Sequence, residues 1–129
     1  MQHNKLISDK EIIIVDDDPV STYLTEELLI DHFGKLKINK FSAGKDCLQY
    51  LKKKKEDALI LLDINMPEMN GWEFIQFYRD FGINDPIILL TSSINEDDRK
   101  RAEKENIDFL NKPIDPSLLD EFIYLAPAL

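Results

Sequence analysis

The sequence predicts an α/β fold in which helices cover both faces of a parallel sheet. Three runs are continuously apolar, as strands are when both faces of their sheet are covered; they are residues 12–15, 58–62 and 87–90. Segments with helical spacing separate these runs, and an alternation of strands and helices favours a parallel sheet. A chain of 129 residues fits one domain, so we expect a single domain over residues 1–129.

Two weaker strands and a set of helices complete the alternation. Residues 37–41 alternate between polar and apolar side chains and residues 107–110 are mostly apolar, so these segments are predicted as the second and fifth strands. The first helix is predicted from Val20, Leu24 and Leu28, which recur every four residues. The second, third and fifth helices are predicted from apolar residues at helical spacing: Cys47, Leu48 and Leu51; Phe74, Tyr78 and Phe81; Leu118, Phe122 and Leu125.

Two polar segments are assigned to helices as well. The stretch 95–106 has Ala102 as its main apolar residue, so a fourth helix there would be held only loosely by packing. Residues 52–55 are consecutive lysines that end the second helix, and we expect them to form a solvated face. Asp18 followed by Pro19 is typical of an N-cap and the first residue of a helix, which favours a capping role for Asp18.

The charge of the chain excludes several classes of function. It has 16 Lys and Arg residues against 25 Asp and Glu residues, a net charge of −9, so neither nucleic acid nor an anionic membrane surface is an expected partner. No apolar run approaches the ~20 residues of a membrane span, and the N-terminus lacks the apolar segment of a signal peptide. Cys47 is the single cysteine and cannot form an internal disulfide, so we expect a cytoplasmic protein.

Polar side chains follow the predicted strands at the point where each strand ends. Asp16 and Asp17 follow the first strand, Asp63 the third, Thr91 the fourth and Lys112 the fifth. The carboxyl ends of parallel strands share one edge of a sheet, where ligands bind. Two carboxylates ~4 Å apart repel by about 4 kcal/mol at an effective dielectric constant near 20, and Mg²⁺, which prefers oxygen ligands, would relieve this repulsion. Mn²⁺ could substitute, whereas the lack of a His or Cys cluster disfavours zinc.

This set of groups suits phosphoryl transfer. A carboxylate oxygen can attack phosphorus while Mg²⁺ and Lys112 neutralise charge on the transferring group. The hydroxyl of Thr91 can donate a hydrogen bond to a phosphoryl oxygen.

Four segments of the chain resemble the receiver domain of two-component response regulators, in the same order and with the spacing of that family. They are residues 13–19, 61–71, 88–92 and 109–113, and the segment that begins near Asp63 is the most specific. The resemblance implies a flavodoxin-like, doubly wound sheet of five strands in the order 2-1-3-4-5, with a cis peptide bond before Pro113. The sequence stops after the predicted fifth helix, at Leu129, so we expect a stand-alone receiver with no effector domain.

The resemblance also implies a role for each acidic residue. Asp63 matches the aspartate that accepts the phosphoryl group. Asp17 matches the direct Mg²⁺ ligand, and Asp16 matches the neighbour that acts through water. The backbone carbonyl of Asn65 and Asp63 itself would complete the metal site. Asn65 and Ser93 occupy positions that vary in the family and tune self-dephosphorylation.

The remaining implied roles concern signalling. Thr91 matches the switch hydroxyl and Lys112 the lysine that pairs with the phosphoryl group. Phe109 matches an aromatic residue that turns inward when Thr91 is drawn toward phosphorylated Asp63, which changes the surface of the fourth helix, fifth strand and fifth helix. The partners would be a histidine kinase or histidine phosphotransfer protein and an unknown downstream protein, with the chain a monomer or a phosphorylation-dependent dimer. Such a domain is not an enzyme, because it assists only its own phosphorylation and dephosphorylation.

Two other interpretations stay open at the level of sequence. Residues 16–20 also resemble the start of haloacid-dehalogenase-type phosphohydrolases, with Asp16 as the nucleophile. That family requires a closing acidic motif after the lysine, whereas Asp97 and Asp98 precede Lys112. A receiver-like binding module that takes no phosphate is the second alternative.

Overall fold

Strands and helices alternate along the chain in the computed structural model, which describes residues 6–92 and 95–125. The strands of these residues are β1 (Glu11–Val15), β2 (Ile38–Phe41), β3 (Ala58–Asp63), β4 (Ile87–Thr91) and β5 (Asp108–Asn111). The helices are α1 (Pro19–Phe33), α2 (Gly44–Lys53), α3 (Gly71–Asp80), α4 (Glu96–Lys104) and α5 (Asp120–Ile123), with a 3-10 turn, Pro116–Leu119, leading into α5. None of these helices is long and apolar enough to cross a bilayer.

All neighbouring strands are parallel, and their order is β2-β1-β3-β4-β5. This confirms the predicted flavodoxin-like sheet. All six residues of β3 are buried, as its uninterrupted apolar run predicts, whereas the edge strands β2 and β5 are partly exposed. The strand order reverses between β1 and β3, so a crevice opens at the carboxyl ends of these two strands.

The apolar side chains form two layers, because successive side chains of a strand point to opposite faces of the sheet. Ile13 belongs to the layer that α2 and α3 cover, whereas Ile12 belongs to the layer that α1 and α5 cover. Cys47 lies fully buried in the first layer. Burial raises the pKa of its thiol to about 12, so Cys47 is a core residue rather than a nucleophile.

The helix predicted from Val20, Leu24 and Leu28 is present as α1, but only Leu28 of these three packs against the core. Val20 and Leu24 are 65% and 53% exposed, whereas Thr25, Leu29 and Phe33 are buried. The apolar residues of this helix lie on several sides, so their spacing alone does not select one face.

The apolar residues that predicted α3 and α5 are not all buried either. Phe81 is the first residue after α3 and is exposed, and Leu118 and Leu125 are exposed while Leu119 and Ile123 are buried. The 3-10 turn before α5 has 3.0 residues per turn. It therefore shifts which side chains face the sheet, relative to the α-helical spacing from which the prediction was made.

The lysines that end α2 do not form a uniformly solvated face. Lys54 Nζ lies 2.8 Å from Asp85 Oδ2, and these side chains are only 11% and 12% exposed. Asp85 Oδ1 also accepts a hydrogen bond from the backbone N–H of Ala58 at 3.1 Å. The pair therefore ties the end of α2 to the start of β3 and to the segment before β4.

Substitutions at two leucines of α1 test which face of the helix is buried. We expect Leu29→Ala to lower the free energy of unfolding by about 2–4 kcal/mol, because it empties a buried site. Leu24→Ala should change it by less than about 1 kcal/mol, because the side chain is largely exposed. Urea unfolding followed by circular dichroism measures both variants. Equal losses of unfolding free energy in the two would contradict the burial of Leu29 and the exposure of Leu24.

Candidate functional site

Three carboxylates meet where β1 and β3 end. Val15 of β1 pairs with Leu62 of β3 in the parallel register. Asp16 follows Val15 and Asp63 follows Leu62, so the two aspartates lie side by side. One oxygen from each of Asp16, Asp17 and Asp63 lies within 4.8 Å of the other two. Asp16 and Asp63 are 5% and 7% exposed, whereas Asp17 is exposed, so the cluster is open to solvent on one side.

Lys112 brings a positive charge into this cluster from the loop after β5. Its Nζ donates to Asp16 Oδ2 at 2.7 Å and to Ser21 Oγ at 2.8 Å, and lies 3.5 Å from Asp63 Oδ2. The backbone N–H of Lys112 donates to the carbonyl of Thr91 at 2.7 Å, which fixes the loop against the end of β4. The Lys112–Pro113 peptide bond is cis, as the sequence resemblance implied.

Backbone N–H groups hold two of the carboxylates in place. Asp16 Oδ1 accepts from the N–H of Asp18 at 2.9 Å, and Asp63 Oδ1 accepts from the N–H of Asn65 at 3.3 Å. Asp18 does not join the cluster, because its own side chain caps α1 by accepting from the N–H of Val20 at 3.0 Å. The predicted capping role of Asp18 is thereby confirmed.

The two buried carboxylates have opposite pKa shifts. Burial, together with the nearby charge of Asp16, raises the pKa of Asp63 to about 6 although Lys112 opposes the shift. Burial is also the largest influence on Asp16 and raises its pKa, but hydrogen bonds from Lys112, Asp18 N–H and Ser21 together outweigh it and lower the pKa. Asp16 therefore carries the stable negative charge, and Asp63 is the group that gains most from an additional cation.

Close backbone packing holds the segment after Asp63 against the sheet. A Cβ atom on Gly71 would lie 2.9 Å from Ile64 Cα and 3.3 Å from the carbonyl oxygen of Asp63, so a side chain does not fit there. Asn70 Oδ1 caps α3 by accepting from the N–H of Glu73, and Glu73 Oε1 accepts in turn from the N–H of Asn70. Asn65 is exposed at the start of this segment, two residues beyond Asp63.

The two predicted switch residues lie on β4 and β5. Thr91 is the last residue of β4 and is buried. Leu90 pairs with Asp63, so Thr91 is at the same edge of the sheet, one residue further along. Phe109 is half-buried in β5 against the layer that α2 and α3 cover, and it lines a groove with Arg99 of α4. The other position expected to tune dephosphorylation, residue 93, lies outside the described residues.

Sequence reasoning missed Ser21 and the polar contacts of α4. Ser21 lies four residues after Asp17, but Asp17 precedes the first residue of α1, so this spacing gives no local signal for a contact with the cluster. Only Ala102 of α4 is buried, as expected, yet Asp98 accepts a hydrogen bond from Trp72 Nε1 at 2.8 Å and Arg101 lies 4.4 Å from the centre of the Trp72 ring. Polar and cation–π contacts therefore attach α4 to α3 where apolar packing is scarce.

Similarity to known proteins covers nearly the whole chain. The family model of the response regulator receiver domain matches residues 12–124. The sensor histidine kinase RcsC of Escherichia coli (strain K12) is 30% identical over 128 residues, which cover 95% of this chain and 13% of that protein. An uncharacterized 14.6 kDa protein of Leptolyngbya boryana is 33% identical over 113 residues, which cover 85% of this chain and 84% of that protein.

The fold matches a solved structure as well. The crystal structure of a response regulator receiver protein from Dyadobacter fermentans DSM 18053 is similar with a TM-score of 0.76 at 26% sequence identity. The match covers 88% of this chain and 94% of that chain. Because the chain spans only 13% of RcsC, the similarity to the kinase concerns one part of a much larger protein.

The raised pKa of Asp63 predicts a pH-dependent stability in metal-free buffer. Between its ordinary value of 3.8 and about 6 the folded protein binds more protons at Asp63 than the unfolded protein does, so this group lowers stability as the pH rises through that window. Asp63→Asn removes the charge and keeps an acceptor for Asn65. We expect the variant to be more stable than the unsubstituted protein at pH 7 by about 1–2 kcal/mol.

The measurement is urea unfolding in the presence of a chelator. The difference should disappear below about pH 3, where Asp63 is protonated in both folded and unfolded chains, and should shrink at pH 7 when Mg²⁺ is added. A variant that is no more stable at pH 7 would falsify the repulsion ascribed to Asp63.

Proposed function

This chain belongs to the response regulator receiver domain family, and we propose that it takes a phosphoryl group onto Asp63 in the presence of Mg²⁺. Receiver domains are signalling domains rather than enzymes that turn over an external substrate. The observation that supports this proposal most directly is the meeting of three carboxylates within 4.8 Å, with Lys112 Nζ 3.5 Å from Asp63 Oδ2.

The acidic cluster fits a magnesium ion. Asp16, Asp17 and Asp63 offer only oxygen ligands, and the exposure of Asp17 leaves access for the water molecules that Mg²⁺ retains. We assign the ion to these carboxylates and to the backbone carbonyl of Asn65, and Mn²⁺ would substitute because it takes the same ligands. When bound, the ion neutralises charge on the phosphoryl group and on Asp63.

The phosphoryl donor in this proposal is a phosphohistidine of a histidine kinase or phosphotransfer protein. An oxygen of Asp63 attacks phosphorus as the bond from phosphorus to the histidine nitrogen breaks, and that nitrogen keeps the electron pair. Because the other ring nitrogen carries a proton, the products are an acyl phosphate and a neutral imidazole. Lys112 is placed to stabilise the added negative charge. The sequence similarity to a protein named as a sensor histidine kinase supports a partner of this class.

The output would pass through the surface formed by α4, β5 and α5. In this proposal Thr91 moves toward the phosphoryl group and Phe109 turns inward. The half-buried position of Phe109, in a groove with Arg99 and Leu118, supports the idea because rotation of the ring would reshape that groove. The response would then be a change in binding to a downstream protein or to a second copy of the chain.

Phosphorylation of Asp63 is tested with acetyl phosphate and Mg²⁺. We expect the intact mass to increase by one phosphoryl group and peptide mapping to locate it at Asp63. Asp63→Asn should abolish labelling, whereas the control Asp18→Asn, which keeps the cap of α1, should retain it. A label on Asp16 would favour the haloacid-dehalogenase mechanism, and no label on the unsubstituted protein would favour a binding module.

The metal assignment is tested with Asp17→Asn. We expect this variant to bind Mg²⁺ at least about tenfold more weakly in calorimetric titration, which corresponds to a loss of about 1.4 kcal/mol, because a charged ligand is removed. Asp18→Asn is the matched control and should bind normally. Beryllofluoride, a phosphoryl mimic, should bind the unsubstituted protein only when Mg²⁺ is present. Unchanged affinity in Asp17→Asn counts against the assignment.

A further inference from the structure

We propose that Ser21 is a positioning residue for Lys112, and that its hydroxyl holds the lysine ammonium where the phosphoryl group forms on Asp63. This inference rests on the proposed function. Ser21 Oγ accepts a hydrogen bond from Lys112 Nζ at 2.8 Å across a sequence separation of 91 residues. Ser21 thus joins the first turn of α1 to the loop after β5, directly beside the carboxylate cluster.

The backbone around Ser21 gives the hydroxyl a fixed position. Ser21 is the third residue of α1, whose start is set by Pro19 and by the side-chain cap of Asp18. Asp18 is in turn attached to the cluster, since its N–H donates to Asp16 Oδ1 at 2.9 Å. Ser21 is half-buried and the Lys112 side chain is only 13% exposed, so water has limited access to compete for this hydrogen bond.

A second anchor for Lys112 is needed because Asp16 serves two cations. The ammonium group has three N–H donors; in this structure Asp16 and Ser21 accept two of them, and Asp63 Oδ2 lies 3.5 Å away. When Asp16 contributes to a magnesium site, the hydrogen bond that it accepts from Lys112 weakens. Ser21 also hydrogen-bonds to Asp16, but it is a neutral hydroxyl and not itself an assigned metal ligand, so its oxygen stays available to accept from the lysine.

The benefit to the reaction is conformational. A lysine side chain samples many rotamers, and fixing it during the transfer costs conformational entropy. Two acceptors at the junction of β1 and α1, Asp16 and Ser21, fix the ammonium beforehand, so that its remaining donor meets the oxygens of the incoming phosphoryl group.

The test reaction is self-phosphorylation with acetyl phosphate. An oxygen of Asp63 forms a bond to phosphorus, the bond from phosphorus to the acetate oxygen breaks, and acetate leaves with the electron pair. No proton or additional reactant is required. The measured quantity is the rate of appearance of phosphorylated protein by intact mass at saturating Mg²⁺, with the Mg²⁺ affinity and the free energy of unfolding recorded for every variant.

Three single variants separate the Ser21 hydroxyl from its surroundings. We expect Ser21→Ala to slow phosphorylation about tenfold, as loss of a hydrogen bond to a charged group predicts. Ser21→Thr keeps the hydroxyl and should recover to within about threefold of the unsubstituted rate. Thr22→Val is the matched control, because the Thr22 hydroxyl bonds to the backbone carbonyls of Asp18 at 3.0 Å and Asp16 at 3.5 Å rather than to Lys112, and its rate should be unchanged.

A double-mutant cycle with Lys112→Ala shows whether Ser21 acts through the lysine. In that background we expect Ser21→Ala to slow the reaction by less than about twofold. The same factor in both backgrounds, or a Ser21→Ala protein as fast as the unsubstituted one, overturns the inference while leaving the proposed function intact. An unsubstituted protein that takes no phosphoryl group from acetyl phosphate overturns both.

Discussion

The repulsion between two buried carboxylates is the constraint on which the rest of the site depends. The parallel register of β1 and β3 places Asp16 and Asp63 side by side where burial disfavours charge. Lys112 relieves part of this repulsion. It stabilises the charge of Asp16 more than that of Asp63, because the pKa of Asp16 is lowered whereas the pKa of Asp63 is raised. The exposed side of the cluster, at Asp17, gives a further cation a route in.

Because of this constraint, the same strand contributes both to the core and to the site. A strand that is apolar along its length and ends in aspartate can bury its backbone completely while its last side chain reaches the open edge of the sheet. β3 has this form, because all of its residues are buried and Asp63 is the last. The close approach of Gly71 to the backbone of Ile64 and Asp63 then holds the following segment where Asn65 can contact the same carboxylate.

The sequence was most informative where burial is uniform. The runs that form β1, β3 and β4 were predicted to within one residue at each end, because a strand covered on both faces leaves a continuous apolar signature. The grouping of Asp16, Asp17, Asp63 and Lys112 followed from the geometry of parallel sheets alone. The faces of α1 and α5 did not follow, since α1 has apolar residues on several sides and a 3-10 turn precedes α5.

Contacts between distant polar side chains also lay beyond the sequence. Neither the hydrogen bond between Lys112 and Ser21 nor the ion pair between Lys54 and Asp85 has a local signature, because each joins segments that only the completed fold brings together. The lysine run 52–55 illustrates the difficulty: its members are chemically identical, and only the neighbours supplied by β3 and the segment before β4 distinguish one lysine from the next.

The attachment of α4 to α3 has a consequence for observing the molecule at work. Trp72 is the single tryptophan of the chain, and its indole nitrogen and ring face both contact residues of α4. Indole emission is sensitive to hydrogen bonding and to nearby charge. The protein therefore contains an intrinsic fluorophore whose spectrum reports the separation of these two helices, without any introduced dye.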